Sequence, residues 1–355
     1  MKRTKKSGSV TLVAVATILS LGLAACGSSG TSNKTSAGAQ PSGGASGSGS
    51  SCAASSNAGP GGPTGGATGT GAATLPTGQP GKGKPAVTMG DKDFAEQFLL
   101  GELYAQALRA RGYTVNLKEN IGSSEIIYKA LTSGKIQMYP EYTGVLYSNA
   151  ILANLGDKPK SAEVTYQGAK KFLEGKGYAL LNPTPFQDAD GVAVTKAFAT
   201  KNCLKTISDL KKLKSFTYAG PKENRNRYQG VLGLQQAYGL NNFQFKALPT
   251  GSQYSALDQG SVDSIAIFTT DAQLSSGKYV VLPDTKGIFG YQQVAPIVKQ
   301  SVLAAEGPEF EQTLNAVSAL LTTESIIGMN QQVQVNQKKP ADIAKAFLTA
   351  NKIVG

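Results

Sequence analysis

Apolar residues in the chain after residue 85 recur at two spacings, which predict alternating strands and helices. Phe94, Phe98 and Leu103 have near-helical spacing, whereas residues 113–117 alternate as a strand does. In chain order, the predicted elements are a strand at 87–89, a helix at 94–111, a strand at 113–117, a helix that starts near Ser123 or Ser124 and stops at Gly134, and a strand at 136–139. This order is typical of a mostly parallel sheet with helices on its faces.

The same alternation returns further along the chain and ends in a helical tail. The predicted strands are 192–194, 216–219, 243–248, 265–268 and 279–282, and the predicted helices are 207–213, 228–238, 252–259, 308–321, 323–335 and 340–351. Two such units predict an α/β clamshell of two lobes, with a ligand site between them at the carboxyl ends of strands. We assign 85–188 plus 290–355 to lobe 1 and 189–289 to lobe 2.

The beginning of the chain has the pattern of an export signal. Four basic residues precede an apolar stretch that ends in Leu23-Ala24-Ala25-Cys26. This pattern predicts a lipoprotein signal over 1–26, with Cys26 as the lipidated residue; an ordinary cleaved signal or a retained helix is the alternative. Residues 27–84 are rich in Gly, Ser and Pro, which predicts a flexible tether. The protein is therefore expected on the extracytoplasmic face of the membrane, held by lipid.

Composition excludes several classes of function. The formal net charge is +12, but the basic residues are scattered rather than clustered, so we expect no nucleic-acid partner. The chain has no His, and we find neither a nucleophile elbow nor a convincing acid pair, so we predict no enzyme, no metal and no cofactor. Cys52 and Cys203 would meet an oxidising compartment and form a candidate disulfide.

Four short segments carry a family resemblance. Residues 90–97 are GDKDFAEQ, residues 134–144 are GKIQMYPEYTG, residues 227–230 are RYQG and residues 268–271 are FTTD. They resemble the GSKxFTEQ, SGxIDxYPEYTGT, RxDG and YxTD motifs of substrate-binding proteins of ABC importers for glycine betaine, choline, carnitine and related osmoprotectants. The resemblance covers essentially all of residues 85–355, and its first two motifs are the specific ones.

This resemblance implies a type II periplasmic-binding-protein fold that binds a quaternary amine without turnover and delivers it to ABC permease and ATPase subunits. Aromatic faces hold a trimethylammonium group, and Lys or Arg holds a ligand carboxylate. The implied ligand contacts are Lys92, Tyr142, Thr143, Val145, Asp190, Arg227, Phe268 and Tyr291. Arg225 is an alternative to Arg227 if the register slips. We expect a monomer.

Three positions depart from the family pattern. Phe268 stands where the family has Tyr, Asp190 where it often has a Tyr of the aromatic cage, and Val145 where it has Thr. A carboxylate at position 190 still attracts a cation, through charge rather than a π face. The usual ligand therefore should not be assumed. A different small cationic or zwitterionic solute, or a surface sensor with the same fold, is the alternative function.

Overall fold

The computed structural model describes residues 75–148 and 161–355, all of which belong to one compact unit of the chain. These residues form two five-stranded sheets. The strands are β1 (Val87–Gly90), β2 (Val115–Lys118), β3 (Met138–Tyr142), β4 (Tyr178–Leu180), β5 (Asp190–Thr195), β6 (Phe216–Gly220), β7 (Phe243–Ala247), β8 (Ser264–Phe268), β9 (Tyr279–Leu282) and β10 (Val294–Lys299).

Helices cover both faces of each sheet. The α-helices are α1 (Ala95–Ala110), α2 (Ser124–Thr132), α3 (Thr143–Ser148), α4 (Ala162–Glu174), α5 (Lys196–Asn202), α6 (Val231–Gln236), α7 (Gln253–Asp258), α8 (Gln300–Glu306), α9 (Pro308–Leu320), α10 (Thr323–Asn330) and α11 (Pro340–Ala350). Shorter 3₁₀ helices span Ile207–Lys212, Lys222–Asn226 and Ala272–Ser276, and a π-helical turn spans Gln331–Val335.

The two sheets share one topology. The strand order is β2-β1-β3-β10-β4 in the first sheet and β7-β6-β8-β5-β9 in the second. In each sheet one strand, β10 or β5, is antiparallel to both neighbours, and the remaining strands run parallel to one another. The predicted two-lobed α/β clamshell with mostly parallel sheets is confirmed.

The chain passes between the sheets twice, and each antiparallel strand follows a passage. The first passage joins β4 to β5 and the second joins β9 to β10. The two passages touch where Asp188 N–H donates to the Gln292 carbonyl at 3.0 Å. We call the first sheet with its helices lobe 1 and the second lobe 2. The domain boundaries at 188/189 and 289/290 stay predictions.

Strand β3 extends further than the sequence indicates. The predicted strand is 136–139, whereas β3 begins at Met138 and continues through Pro140 to Tyr142, although proline normally interrupts a sheet ladder. Pro140 lies opposite Pro296 of β10. Two prolines have no N–H groups to exchange, so they fit a non-hydrogen-bonded pair of the antiparallel β3–β10 ladder without the loss of a bond between these two strands. Glu141 and Tyr142 are therefore held by a buried strand rather than by a turn.

Helix α1 is central to lobe 1. Leu99, Leu103 and Leu108 are fully buried in a core that also takes side chains from α9 and α11. Each such leucine contributes roughly 1.5–3 kcal/mol through burial. Periodicity predicts α1 well, whereas the predicted helix 228–238 is too long, since only Val231–Gln236 is α-helical.

Residues 75–84 correct the predicted tether. Leu75 packs against the lobe 1 core, Gly81 N–H donates to the Arg111 carbonyl at 3.0 Å, and Lys84 donates to the Ala305 carbonyl at 2.9 Å. This segment is thus part of the body, because its backbone and side chains have fixed partners there. The rest of the tether, the signal over 1–26 and Cys26 lie outside the described residues.

Two further observations concern the export predictions. Cys203 follows α5 and is disulfide-bonded. Its predicted partner, Cys52, lies outside the described residues, so that pairing stays a prediction. Within the described ranges, no helix combines the length and the apolar character needed to span a bilayer.

Candidate functional site

A cavity lies between the lobes, where β1, β3, β6 and β8 end. Its lining residues are Lys92, Asp93, Phe94, Ser123, Ser124, Tyr142, Val145, Asp188, Asp190, Pro221, Glu223, Asn224, Arg227, Thr250, Phe268 and Gln292. Both lobes contribute to this wall, and most of these side chains follow the carboxyl end of a strand. The position is the one at which open α/β sheets bind ligands.

Lys92 is buried against the lobe 1 wall and is only 4% exposed. Its Nζ lies 2.6 Å from Glu141 Oε1 and donates to Ser124 Oγ at 3.1 Å. The same ammonium lies 4.1 Å from the centre of the Tyr142 ring. Burial lowers the pKa of Lys92, and the Glu141 carboxylate opposes that shift. The ammonium is therefore fully engaged by protein groups.

Three aromatic rings form a row across the cavity. Phe94 stacks on Tyr142 with ring centres 6.2 Å apart and an interplanar angle of 25°, and on Phe268 at 5.2 Å and 22°. Tyr142 and Phe94 belong to lobe 1, whereas Phe268 ends β8 of lobe 2. The row thus provides π faces from both lobes, which is the kind of surface that binds a diffuse cation.

Glu96 fixes the position of the Tyr142 ring. Tyr142 Oη donates to Glu96 Oε1 at 2.8 Å, while Thr270 Oγ1 and Asn330 Nδ2 donate to Oε2 at 2.6 and 2.8 Å. Burial raises the pKa of Glu96, and these hydrogen bonds counteract the rise. The carboxylate therefore joins the aromatic row, lobe 2 and the helical tail in one buried network.

Arg227 follows a 3₁₀ helix of lobe 2 and reaches across the cavity to α2 of lobe 1. Its Nη2 donates to Glu125 Oε1 at 3.0 Å and to Oε2 at 2.8 Å, and its Nε donates to Oε1 at 3.1 Å. Burial raises the pKa of Glu125, but the bonds and charge of Arg227 outweigh it and hold that pKa below its usual value. The pair is a charge-assisted bridge between lobes.

Two carboxylates face the cavity near the first passage between lobes. Asp190 begins β5 opposite Phe268. Burial raises the pKa of Asp190 to about 6, although the charges of Arg227 and Lys92 oppose the rise. Asp188 accepts a hydrogen bond from Thr270 N–H at 3.1 Å, and burial together with the Glu96 charge raises its pKa. Of these two carboxylates, Asp190 is therefore the better placed to meet a ligand cation at neutral pH.

The structure brings most of the predicted contacts together. Lys92, Tyr142, Val145, Asp190, Arg227 and Phe268 all line the cavity. Thr143 and Tyr291 are not among the lining residues; Thr143 Oγ1 donates to the Tyr291 carbonyl at 3.4 Å instead. Direct ligand contact by any of these residues stays a prediction.

Comparison with known proteins gives the family. A family model described as the substrate binding domain of an ABC-type glycine betaine transport system matches residues 85–350. The chain belongs to this family. A glycine-betaine-binding protein of Pseudomonas aeruginosa is 28% identical over 278 residues, which cover 75% of this chain and 88% of the relative.

Two further relatives show the range of the similarity. The "Ergothioneine transport permease/ergothioneine binding protein EgtU" of Helicobacter pylori is 27% identical over 75% of this chain, which spans only 47% of that protein. A solved structure of a glycine betaine/carnitine/choline ABC transporter protein aligns with a TM-score of 0.60 and 22% identity, over 75% of this chain and 99% of that one. The latter supports the fold alone.

Sequence reasoning missed four residues that shape the site. Phe94 lies inside the first motif, so its position after β1 was a usable signal for a wall residue. Glu96 carried a weaker signal as an acid in the first turn of α1, where it suits the helix dipole. Nothing local marked Asp188, or Glu125 as the partner of Arg227 across 102 residues.

The cavity wall contains aromatic, acidic and basic side chains. Among residues 75–148 and 161–355, no cluster of three His, Cys, Asp or Glu side chains is placed to hold a metal ion. The wall combines π faces with carboxylates, and its two basic side chains, Lys92 and Arg227, already contact protein carboxylates. Such a wall is expected to attract a small organic cation.

Proposed function

We propose that this protein captures a quaternary-ammonium solute between its lobes and delivers it to an ABC importer without chemical turnover. The observation that carries the proposal is the row of Tyr142, Phe94 and Phe268, with Asp190 in the same cavity. A trimethylammonium group has no N–H to donate, so it binds through ring faces and a nearby negative charge. The row supplies the first and Asp190 supplies the second.

The relatives support this class of ligand. One is named for glycine betaine and another for ergothioneine, and both compounds carry a trimethylammonium group. The departures at Val145, Asp190 and Phe268 favour a ligand that differs from the usual one in size or charge. We therefore propose that the protein recognises the cationic head group of the solute. The calorimetric panel below identifies which solute of this class binds best.

Isothermal titration calorimetry on the purified chain tests the proposal. The panel is glycine betaine, choline, carnitine, proline betaine and ergothioneine, with an arginine titration as the control for a cation that has N–H donors. We expect binding to at least one quaternary amine and none to arginine. A chain that is folded by circular dichroism and binds no quaternary amine would contradict the proposed ligand class.

The proposed mechanism is closure of the lobes about the two passages, which traps the solute between them. The cross-lobe bonds of Glu96 to Thr270 and of Arg227 to Glu125 support this, because each joins residues that closure brings together. Small-angle scattering with and without the best ligand measures the change. An unchanged radius of gyration at saturation would contradict closure.

Anchoring is a separate proposal that rests on the sequence at Cys26. We propose that lipid on Cys26 holds the protein on the extracytoplasmic face, near its permease. Metabolic labelling with an alkyne fatty acid should mark the wild-type protein and not the Cys26→Ala variant. Equal labelling of the two proteins would show that Cys26 is not the attachment site.

A further inference from the structure

The cations of the cavity wall are already neutralised by the protein. Lys92 and Arg227 are the basic side chains among the lining residues, and each contacts a glutamate at 2.6 and 2.8 Å, respectively. A ligand carboxylate that enters the cavity therefore meets no unpaired cation on this wall. It must displace a protein carboxylate before it can form its own charge-assisted bond.

The two glutamates differ in how easily they can be displaced. Glu141 is buried in β3 and also accepts from Tyr142 N–H at 2.8 Å, so a ligand cannot move it without disturbing the strand. Glu125 lies in the first turn of α2, and its side chain is 38% exposed. A ligand carboxylate can compete only for the second pair.

Glu125 is nevertheless a strong competitor. It holds the Arg227 guanidinium through three hydrogen bonds of 2.8 to 3.1 Å. Ser123 Oγ donates to Glu125 Oε2 at 2.7 Å and so fixes the carboxylate. A preorganised carboxylate of this kind imitates the carboxylate of a zwitterionic ligand and has no entropy of association to lose.

Resting on the proposed function, we propose that Glu125 is a specificity-determining residue. Its carboxylate occupies Arg227 and thereby disfavours zwitterionic ligands, such as betaines, relative to net cations of similar size. Asp190 adds to the discrimination, because its negative charge attracts the ammonium end of both ligand types but repels a carboxylate. Removal of the Glu125 charge frees the guanidinium and shifts the preference towards the zwitterion.

Choline and glycine betaine test this inference, since they share the trimethylammonium group and differ in a hydroxymethyl in place of a carboxylate. Both affinities are measured by calorimetry on the wild type and on Glu125→Gln. We expect the ratio of glycine betaine affinity to choline affinity to rise about tenfold or more in the variant. The ratio cancels any loss that comes only from a weaker contact between the lobes. An unchanged ratio would overturn the inference.

Three further variants isolate the cause. Glu125→Asp keeps the charge but shortens the side chain, and we expect the ratio to shift in the same direction by a smaller factor. In an Arg227→Gln background, Glu125→Gln should leave the ratio unchanged, because no guanidinium remains to be freed. Glu223→Gln removes an equal charge from the cavity wall but leaves the Arg227 bridge in place. A shift in Glu223→Gln as large as in Glu125→Gln would show a general charge effect and overturn the specific role.

The outcomes separate this inference from the proposed function. A wild type that binds neither compound, nor any other quaternary amine, removes the proposed function and this inference with it. A wild type that binds choline or glycine betaine, with the same ratio in all variants, removes only the role of Glu125. Thermal unfolding of each variant shows whether it has folded. If Glu125→Gln fails to fold, the ratio of glycine betaine affinity to choline affinity is measured on Glu125→Asp instead.

Discussion

The cavity has two ion pairs that look alike in composition and differ in their place in the fold. Lys92 and Glu141 both belong to lobe 1, and their side chains are 5% and 0% exposed. Arg227 and Glu125 come from different lobes, and their side chains are 17% and 38% exposed. The first pair is part of the core of one lobe, whereas the second exists only while the lobes are together.

Because of this difference, we expect the Lys92–Glu141 pair to affect mainly the stability of the protein and the Arg227–Glu125 pair to affect mainly its ligand selectivity. Breaking a buried pair by removing one partner leaves a charge without compensation, whereas water can reach the partners of a partly exposed pair. The lobe 1 wall is therefore a rigid platform, and the bridge between lobes is the adjustable part. Experiments that perturb one pair at a time can confirm or break this division.

The largest expected effect is on stability at the lobe 1 wall. Lys92→Met strands the buried Glu141 charge, so we expect the free energy of unfolding to fall by about 3–5 kcal/mol. Arg227→Met should cost roughly 1 kcal/mol or less, because Glu125 can turn to solvent. Urea unfolding followed by circular dichroism measures both. Equal losses in the two variants would contradict the proposed division.

A double variant controls for lost packing. Lys92→Met combined with Glu141→Gln removes both charges and keeps the side-chain volumes, so it should recover a large part of the stability lost in Lys92→Met. If the double variant is no more stable than the single one, then packing around Lys92 rather than the stranded charge explains the loss.

The same division explains which features could be predicted from sequence. Lys92 follows β1 and Tyr142 ends β3 of the same sheet, so the strand pattern together with the family motifs placed them near each other. The partner of Arg227 lies 102 residues away in the other lobe, and no local pattern records such a pair. Periodicity predicted the strands of both sheets except β4 and β10. Strand β10 contains Pro296, and the pairing of Pro296 with Pro140 depends on register, which no local pattern records.

The next effect is on ligand binding at the aromatic row. Tyr142→Ala removes a ring face from the rigid platform together with the bond to Glu96, so we expect affinity for the best quaternary amine to fall by about 100-fold. Tyr142→Phe keeps the ring and loses only the hydroxyl, and we expect a loss of a few-fold at most. Calorimetry on both variants measures the difference. An affinity in Tyr142→Ala equal to that of the wild type would contradict the proposal that the aromatic row contacts the ligand.

Ligand affinity should depend on pH through Asp190, which faces the cavity beside the bridge between the lobes. The pKa of Asp190 is raised to about 6 by burial, so the side chain gains a proton as the pH falls through that value. We expect affinity for choline to fall by about tenfold between pH 7.5 and pH 5, since the neutral acid attracts a cation less. Asp190→Asn should bind weakly at both pH values and give a flat profile. A wild-type profile that is also flat would show that Asp190 does not act on the ligand.

Stability should change in the opposite sense for the same group. Between the ordinary aspartate pKa of 3.8 and the folded value of about 6, the folded state binds more protons at Asp190 than the unfolded state does. The contribution of Asp190 to the free energy of unfolding therefore decreases as the pH rises through this range. Comparing urea unfolding of the wild type and Asp190→Asn at pH 4 and pH 7 isolates this contribution. If the free energy of unfolding rises from pH 4 to pH 7 by the same amount in the wild type and in Asp190→Asn, then Asp190 does not contribute to the pH dependence of stability.

The smallest expected effect concerns the ring that lobe 2 contributes to the row. Phe268 is half-buried and stacks only on Phe94, at 5.2 Å, among the ring contacts of the described residues. Phe268→Leu keeps apolar contact and loses the π face, so we expect affinity to fall about three- to tenfold, well below the loss in Tyr142→Ala. Phe268→Tyr keeps the face and should bind as the wild type does. If Phe268→Leu instead weakens binding as much as Tyr142→Ala, the two lobes hold the cation equally, and lobe 1 is not the dominant platform.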